Sequence, residues 1–396
     1  MKQFVCLILS AVAMSSLAAA QVPQSGHVVV VVEENTNYSK VIGNSAMPYL
    51  NSLAEKYGLA VNYYANTHPS IGNYFMLTTG QIITNSDGYS GTVSSNNIVR
   101  AALTSGISWK AYAESLPYAG YTGGDKYPYS KHHNPFAYFS DVVNSSTEKY
   151  NIVPFGRFTQ DISNHTLPKF SFVIPNMNHN MHDCPAGMSS CTVTQKAAEA
   201  DKWLKSNIAP LLASSDFRYN NGLLIITWDE ASSSDSSHGG GRVVTVVIGP
   251  KVRSGYKSST FYQHQSLLRT VLEAAGSSVT APGAAGSARS MADFFLVNNT
   301  SGTNTCTYSQ TSPSVTICSP TAGATVSSSV HVVAGTTSSS TVTYMCVWLD
   351  GVKKAESYGP QLDKWISASA GSRRITVQAR NSAGATFSKT IYVTVQ

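Results

Sequence analysis

Clusters of acidic and amide side chains follow two apolar runs of the sequence. Glu33, Glu34 and Asn35 come directly after the run VVVVV, and Asp229 and Glu230 follow the run LLIITW. Carboxylate and amide oxygens are the ligands that hard divalent cations prefer in proteins. The sequence therefore predicts a site for a divalent metal ion, whose identity these residues leave open.

The segment HPSIGNY, residues 68–74, places a serine where such an ion could activate it. A serine hydroxyl bound to a metal ion becomes a nucleophile because the ion lowers the pKa of the hydroxyl. Pro69 would stiffen the approach to Ser70, and Gly72 would permit a tight bend after it. Asn73 could donate a hydrogen bond to an anionic oxygen. We therefore predict that Ser70 is both a metal ligand and the nucleophile, held on a short turn.

These side chains need a scaffold that brings distant parts of the chain together. Runs such as HVVVVV, FSFVIP, GLLIITW and VVTVVIGP are typical of strands buried on both faces of a parallel sheet. Helical patterns lie between or after them, as in TQKAAEADKWLKSNIAPLL and QHQSLLRTVLEAAG. The sequence predicts an α/β domain whose central, mostly parallel sheet carries helices on both faces. Ligands of such sheets bind at the carboxyl ends of the strands. Acids, amides and histidines follow three of these strands, so they are expected at that ligand-binding edge.

Composition divides the chain into four segments. Residues 1–20 combine a basic start, an apolar run and an Ala-x-Ala pattern, which predicts a signal peptide and a secreted protein beginning near Gln21. The α/β domain occupies residues 21–297, and the polar stretch at 298–312 is typical of a linker. Residues 313–396 hold short alternating runs separated by turn residues, about seven strands, which predicts an immunoglobulin-like β-sandwich.

Charge and cysteine content narrow the class of protein. The formal net charge is +6 and the basic residues are scattered, so we expect no nucleic-acid partner. No segment after the signal peptide approaches the roughly 20 apolar residues of a membrane span, so we expect no stable membrane anchor. Cys184 and Cys191 could close a small disulfide, whereas the pairing among Cys306, Cys318 and Cys346 stays open.

Six segments of the sequence occur in an order that resembles one family. They are VVVVVEENTNYSKVIG, HPSIGNYFMLTTG, KHHNPFAYF, FVIPNMNHNMHD, WDEASSSD with VVTVVIGP, and YQHQSLLRTVLEAAG. Together they resemble the phosphoesterase family that contains bacterial phospholipases C and acid phosphatases, a branch of the alkaline phosphatase superfamily. The resemblance covers nearly all of residues 27–297. It implies an alkaline-phosphatase-like sheet and the hydrolysis of phosphate esters.

The resemblance also implies a role for each matching position. Ser70 matches the nucleophile that becomes phosphorylated, and Asn73 matches an asparagine that contacts the phosphoryl group. Asn35, Asp229 and Glu230 match metal-binding positions, and Glu34 lies beside them. His133 and His182 match histidines that hold phosphate oxygens or protonate the leaving group. Asp183 could orient His182. His238 lies near the place of a further active-site histidine, and we predict that it binds phosphate, with a plain loop residue as the alternative.

The sequence departs from the two-metal members of the superfamily at two places. Asn178 stands where those enzymes have an acid four residues before the histidine matched by His182, and Asp229 is followed by Glu230 where they have a histidine. The resemblance therefore implies one divalent metal ion, of unknown identity. It also implies a double displacement in which Ser70 is first phosphorylated and water then releases phosphate.

These observations favour a secreted, metal-dependent phosphomonoesterase of the acid phosphatase type that acts on a small phosphate ester. A phospholipase C that cleaves phosphodiesters, with a phospholipid head group as substrate, is the alternative among enzymes. The chain is short for that branch, and the segment PNMNHNMHD looks closer to the acid phosphatases. A third hypothesis makes the chain an inactive surface or carbohydrate-binding protein whose C-terminal domain makes the contact. The presence of Ser70 and of every predicted metal ligand favours an enzyme.

Overall fold

The computed structural model describes residues 21–295 and 308–396. These residues form two compact units, one on each side of the gap, and each has its own hydrophobic core. The predicted signal peptide at residues 1–20 lies outside the described residues, as do residues 298–307 of the predicted linker. Among the described helices, none combines the length and the apolar character needed to cross a bilayer.

Eight strands form the central sheet of the N-terminal unit: β1 Val28–Glu33, β2 Gly58–Ala60, β3 Trp109–Ala113, β4 Ile152–Pro154, β5 Phe170–Ile174, β6 Leu223–Trp228, β7 Thr245–Ile248 and β8 Tyr256–Ser258. They lie in the order β4-β3-β5-β1-β6-β7-β2-β8. In this described sheet, β7 runs antiparallel to its neighbours β6 and β2, and the other strand pairs are parallel. The predicted mostly parallel sheet is confirmed.

Helices cover this sheet: α1 Tyr38–Val41, α2 Pro48–Lys56, α3 Ser70–Thr79, α4 Ile98–Thr104, α5 Ser140–Val143, α6 Gly156–Ser163, α7 Val193–Ala213, α8 Ser215–Tyr219 and α9 His264–Ala275. Helix α9 packs against α3 and α4, and α7 packs against α2, α6 and α8. Every residue of β1, β5, β6 and β7 is buried, which requires cover on both faces of the sheet. Helices on both faces agree with the prediction from the sequence.

The carboxyl ends of β5, β1 and β6 lie side by side because these strands are parallel neighbours. Backbone hydrogen bonds join the segments that follow them. The N–H group of Asp229 donates to Glu33 O at 2.9 Å, and that of Glu34 donates to Asn180 O at 2.8 Å. The prediction that three strands deliver polar groups to one edge is therefore confirmed.

The structure corrects the expected turn at Ser70. This serine is the first residue of α3, and Pro69 precedes it in an extended conformation. Gly72 lies in the first helical turn rather than at a bend. A Cβ atom at Gly72 would collide with the side chains of Asn85 and Thr67, so close packing is what requires a glycine here.

The C-terminal unit contains strands β9 Ser314–Ser319, β10 Thr325–Val326, β11 Ser329–Thr337, β12 Val342–Leu349, β13 Val352–Ser357, β14 Gln361–Ser367, β15 Gly371–Asn381 and β16 Thr386–Val395. One sheet has the order β10-β16-β15-β12-β13, and the other has the order β14-β11-β9. Apolar side chains of both sheets share one core, including Val332 of β11 and Val347 of β12. The predicted all-β unit of two packed sheets is confirmed, with eight strands where the sequence indicated about seven.

The cysteines follow the prediction where the structure describes them. Cys184 and Cys191 form a disulfide. Cys318 is also disulfide-bonded, whereas Cys346 is a buried free thiol. Cys346 is therefore removed from the pairings that the sequence left open, and Cys306 lies outside the described residues.

Candidate active site

Glu34, the first residue after β1, is the centre of a buried polar cluster. Its Oε2 atom accepts a hydrogen bond from Ser70 Oγ at 3.1 Å, and its Oε1 atom accepts one from the Tyr74 hydroxyl at 2.7 Å. His133 Nε2 lies 3.2 Å from the same Oε1 atom. Ser70 and Tyr74 are four residues apart on α3, so one face of the helix presents both hydroxyls to Glu34. The expected nucleophile thus contacts the acid that the sequence places beside the metal ligands.

Three carboxyl groups are buried together at this edge, those of Glu34, Asp229 and Glu230. Burial raises the pKa of each above its ordinary value, and the pKa of Glu230 rises to about 8. The carboxylates also raise one another's pKa, Asp229 acting on Glu34 and Glu230 on Asp229. Asp229 Oδ2 is buried without a hydrogen-bond partner among the described residues. A divalent cation would offset both the repulsion and the unpartnered oxygen, so this donor set fits a metal ion.

Imidazole donors approach the same place. Glu34, His133 and His182 each offer one ligand atom, and these atoms lie within 4.8 Å of one another. The backbone N–H group of Asn35 donates to Asp229 Oδ1 at 3.1 Å, with Asn35 in the left-handed region at φ 48°. Asparagine tolerates that region better than most residues. The candidate metal site therefore reaches both predicted histidines as well as the oxygens at the strand ends.

The two histidines differ in their access to solvent. His133 is 1% exposed, and burial, with smaller effects of His132 and His182, lowers its pKa well below the usual value. His182 is 30% exposed, and its Nδ1 atom lies 2.8 Å from Asp183 Oδ1. Such a carboxylate fixes the orientation of an imidazole ring. His182 is thus the more accessible histidine of this pair, and the orienting role of Asp183 stays a prediction that this contact supports.

Asn73 holds the segment before the expected nucleophile, residues 66–70, which we call the nucleophile loop. Its Oδ1 atom accepts hydrogen bonds from the backbone N–H groups of Asn66 at 3.0 Å and Thr67 at 3.2 Å. Its Nδ2 atom donates to Thr67 O at 2.8 Å and to Glu230 Oε2 at 3.1 Å. These four bonds use the full hydrogen-bonding capacity of the amide. The contact of Asn73 with a phosphoryl group stays a prediction, since the observed bonds go to the protein.

Glu230 acts on the same loop. Its Oε1 atom lies 3.1 Å from His68 Nδ1, and His68 Nε2 lies 3.0 Å from the carbonyl oxygen of Asp235. Both carboxylate oxygens of Glu230 therefore have protein partners. Metal binding by Glu230 stays a prediction, and Asp229, with its unpartnered oxygen, is the better placed of the two acids.

His238 lies in an aromatic cluster near the surface. Its ring centroid is 4.3 Å from that of Tyr64 and 4.8 Å from that of Phe261. The residue is exposed and has a left-handed backbone, with φ 54°. These contacts do not join His238 to the cluster around Glu34. Its predicted phosphate-binding role stays a prediction.

Two residues that contact the site, Tyr74 and His264, are not among the site residues predicted from the sequence. Tyr74 could have been found, because it lies four positions after Ser70 in a segment of helical length. His264 Nε2 lies 2.6 Å from the carbonyl oxygen of Asp229, and Tyr63 Oη lies 3.0 Å from His264 Nδ1. Burial lowers the pKa of His264 to about 4, so this ring is neutral and supports the segment after β6. Only the fold reveals that contact.

Fold and site together define the class of protein. The family model of the Phosphoesterase family matches residues 44–276, which is more than half of the chain, and the chain belongs to this family. A bacterial Ig domain matches residues 313–377 of the C-terminal unit. The family resemblance of the N-terminal part and the predicted immunoglobulin-like character of the C-terminal part are therefore confirmed.

Particular relatives are phosphatases by name. The chain is 35% identical over 254 residues to a probable acid phosphatase of Kluyveromyces lactis, an alignment that covers 61% of this chain and 56% of the relative. It is 32% identical over 266 residues to the phosphatidylinositol-3-phosphatase of Mycobacterium tuberculosis, covering 66% and 81%. The chain spans about half the length of the curated fungal acid phosphatases that it matches. Among solved structures, a Vibrio parahaemolyticus protein in the alkaline phosphatase superfamily is 14% identical, with a TM-score of 0.44, covering 65% of this chain and 68% of that chain.

Proposed function

We propose that this protein is a secreted, metal-dependent phosphomonoesterase of the acid phosphatase type that acts through a phosphoserine on Ser70. The observation that carries the proposal is the hydrogen bond from Ser70 Oγ to the buried carboxylate of Glu34, beside His133 and His182. Membership of the phosphoesterase family and the names of the relatives support it.

The geometry suits a two-step displacement. Ser70 Oγ forms a bond to phosphorus as the bond from phosphorus to the alcohol oxygen breaks, and the hydroxyl proton passes to Glu34 Oε2. His182, the more accessible histidine, donates a proton to the departing alcohol as general acid. Water then attacks the phosphoserine and returns a proton to His182. Ser70 recovers its proton from Glu34 as inorganic phosphate leaves.

Four oxygen donors that follow the strands would hold the metal ion: Glu34, Asn35, Asp229 and Glu230. Ser70, His133 and His182 lie beside them. When bound, such an ion offsets charge on phosphoryl oxygens and lowers the pKa of a serine hydroxyl. The protein positions Ser70 for the reaction through Asn73 and Glu230, which hold the nucleophile loop from two sides.

The test is hydrolysis of para-nitrophenyl phosphate and of a choline phosphodiester by the purified protein, after chelation and again after metal is restored. We expect metal-restored hydrolysis of the monoester that falls at least about 10³-fold in Ser70→Ala. Ser163→Ala, a change on the exposed face of α6, is the matched control and should retain activity. Preference for the diester would instead support a phospholipase C, and a protein inert on both esters would contradict the proposal.

Secretion rests on the sequence of residues 1–20 and has its own test. Expression of the full chain in a bacterium that processes secretory signals should yield a mature protein outside the cytoplasm whose N-terminal residue lies near Gln21. A cytoplasmic protein that keeps residues 1–20 would contradict this part of the proposal.

A further inference from the structure

A cavity of about 450 Å³ adjoins His182. Its lining includes Tyr127, Asp183, Lys196 of α7 and residues 184–189 of the segment that the Cys184–Cys191 disulfide closes. The Glu34 cluster itself does not line the cavity, so the cavity is an addition to the site described above. Its volume suits a small molecule rather than a polymer.

A chain of contacts links the cavity to the nucleophile. Asp183 lines the cavity and lies 2.8 Å from His182, whose ring centroid is 5.7 Å from that of His133. His133 in turn lies 3.2 Å from Glu34, which accepts the hydrogen bond from Ser70. A general acid must lie within hydrogen-bond reach of the oxygen that it protonates. Two lining residues, Asp183 and Lys196, contact His182 directly, so the cavity begins one residue away from this histidine.

The lining is rich in groups that recognise hydroxyls. Lys196 Nζ donates one hydrogen bond to the carbonyl oxygen of His182 at 2.6 Å, which leaves two of its three protons for a ligand. The Tyr127 hydroxyl accepts from Asn178 Nδ2 at 2.9 Å and keeps its own proton to donate. Ser189 adds a further hydroxyl. Three side chains of the lining can therefore hydrogen-bond to a ligand.

Apolar surface in the lining is limited. The side chain of Tyr127 is 69% exposed and that of Met188 is 46% exposed. A tyrosine ring surrounded by hydrogen-bonding groups suits a molecule with C–H faces and hydroxyl edges. An acyl chain would need a continuous apolar wall, which the described lining does not supply.

The covalent structure holds these groups in place. The disulfide between Cys184 and Cys191 closes the wall, and Asn178 Nδ2 donates to the carbonyl oxygen of Cys184 at 2.8 Å. Lys196 lies in the first turn of α7, which begins with a capping box of Thr192 and Gln195. The cavity is therefore preformed rather than assembled by the ligand.

We propose that this cavity binds the alcohol part of the substrate, and that this alcohol is polyhydroxylated, as in a sugar phosphate. The inference rests on the proposed phosphatase function, which it refines by naming the substrate class. Lys196 and Tyr127 are its specificity-determining residues, with Asn178 as a positioning residue for the Tyr127 hydroxyl.

The experiment compares kcat/KM for glucose 6-phosphate with kcat/KM for para-nitrophenyl phosphate, whose leaving group has no hydroxyl besides the phenolic oxygen released from phosphorus. We expect the ratio of the two values to fall about tenfold in Tyr127→Ala and in Lys196→Met, mainly through KM for glucose 6-phosphate, as the loss of one or two hydrogen bonds predicts. Lys202→Met is the matched control. Lys202 lies on the same helix but is 73% exposed and pairs with Glu199, so the ratio should stay at the wild-type value.

Failure of this inference is distinguishable from failure of the proposed function. A ratio within twofold of wild type in both variants, or a wild type that cleaves only the aryl ester, would overturn the subsite while leaving a Ser70-dependent phosphatase. Absence of Ser70-dependent hydrolysis of both esters would instead overturn the proposed function. Thermal melting of each variant checks the fold, and Tyr127→Ala decides the matter if Lys196→Met is unstable, because Tyr127 is largely exposed.

Discussion

Replacing Asn73 by alanine tests whether its amide holds the nucleophile loop. The substitution removes four hydrogen bonds of 2.8–3.2 Å and leaves polar groups of Asn66, Thr67 and Glu230 without those partners. At about 1 kcal/mol for each bond, the free energy of unfolding should fall by about 4 kcal/mol. Since 1 kcal/mol corresponds to about 2–3 °C in a unit of this size, the melting midpoint should fall by about 10 °C. Because the loop carries Ser70, kcat should fall as well.

Scanning calorimetry of the N-terminal unit's transition, together with steady-state hydrolysis of para-nitrophenyl phosphate, measures both effects. The control is Asn62→Ala. The side chain of Asn62 has one described hydrogen bond, to the carbonyl oxygen of Ser259 at 3.2 Å, and this bond is exposed to solvent. Its midpoint should change by less than about 2 °C. The reasoning is refuted if Asn73→Ala melts like the control and changes only KM. That result would make Asn73 a phosphate contact, as the family resemblance implies.

Three further predictions concern the cluster and its surroundings. Tyr74→Phe removes the 2.7 Å hydrogen bond to Glu34 and should lower kcat about tenfold at a cost of about 1 kcal/mol in stability, measured by kinetics and urea unfolding; an unchanged kcat would contradict it. Chelation should lower the melting midpoint, because a cation at a thousand times its Kd adds about 4 kcal/mol to the free energy of unfolding. A midpoint that changes neither with chelator nor with added metal would refute the metal site. The hydrogen bond to Glu114 raises the pKa of His179 above its unfolded value of about 6.5. The stabilisation from protonated His179 is therefore complete below that pH and is lost as the pH rises through the raised pKa. Urea unfolding at a series of pH values should show this loss of stability in the wild type but not in His179→Ala.

The sequence was sufficient for the strands that are buried along their whole length. The run HVVVVV becomes β1 because β-branched residues fit a strand that is covered on both faces, and the acids that follow it reach the sheet edge as expected. Short edge strands such as β4 and β8 have no such run, since three residues carry too little periodicity to predict. The helix at Ser70 is missed because Pro69 and Gly72 both suggest a turn. A proline before the first turn is compatible with a helix, and the glycine is required by its neighbours.

The site was predictable in its residue types and less so in its contacts. Asn73 is an amide near a nucleophile, and nothing in its local sequence distinguishes a phosphate contact from a support for the preceding loop. That distinction depends on Glu230, which is 157 residues away and contacts Asn73 Nδ2 at 3.1 Å. In the same way, the cavity beside His182 is formed by Tyr127 and by residues that follow β5, which are not adjacent in the sequence.

The separation of Glu34 from Asp229 along the chain fixes when the candidate site can first be complete. Ser70, Glu34 and both histidines occur before residue 183, whereas Asp229 arrives with β6, which must pair with β1 over a separation of 195 residues. Pairings of such long range form late in folding, because a large loop must close before the contact is gained. A nascent chain that ends before residue 223 would carry Ser70 and Glu34 without Asp229 and Glu230. The candidate site is therefore complete only when most of the N-terminal unit has been synthesised.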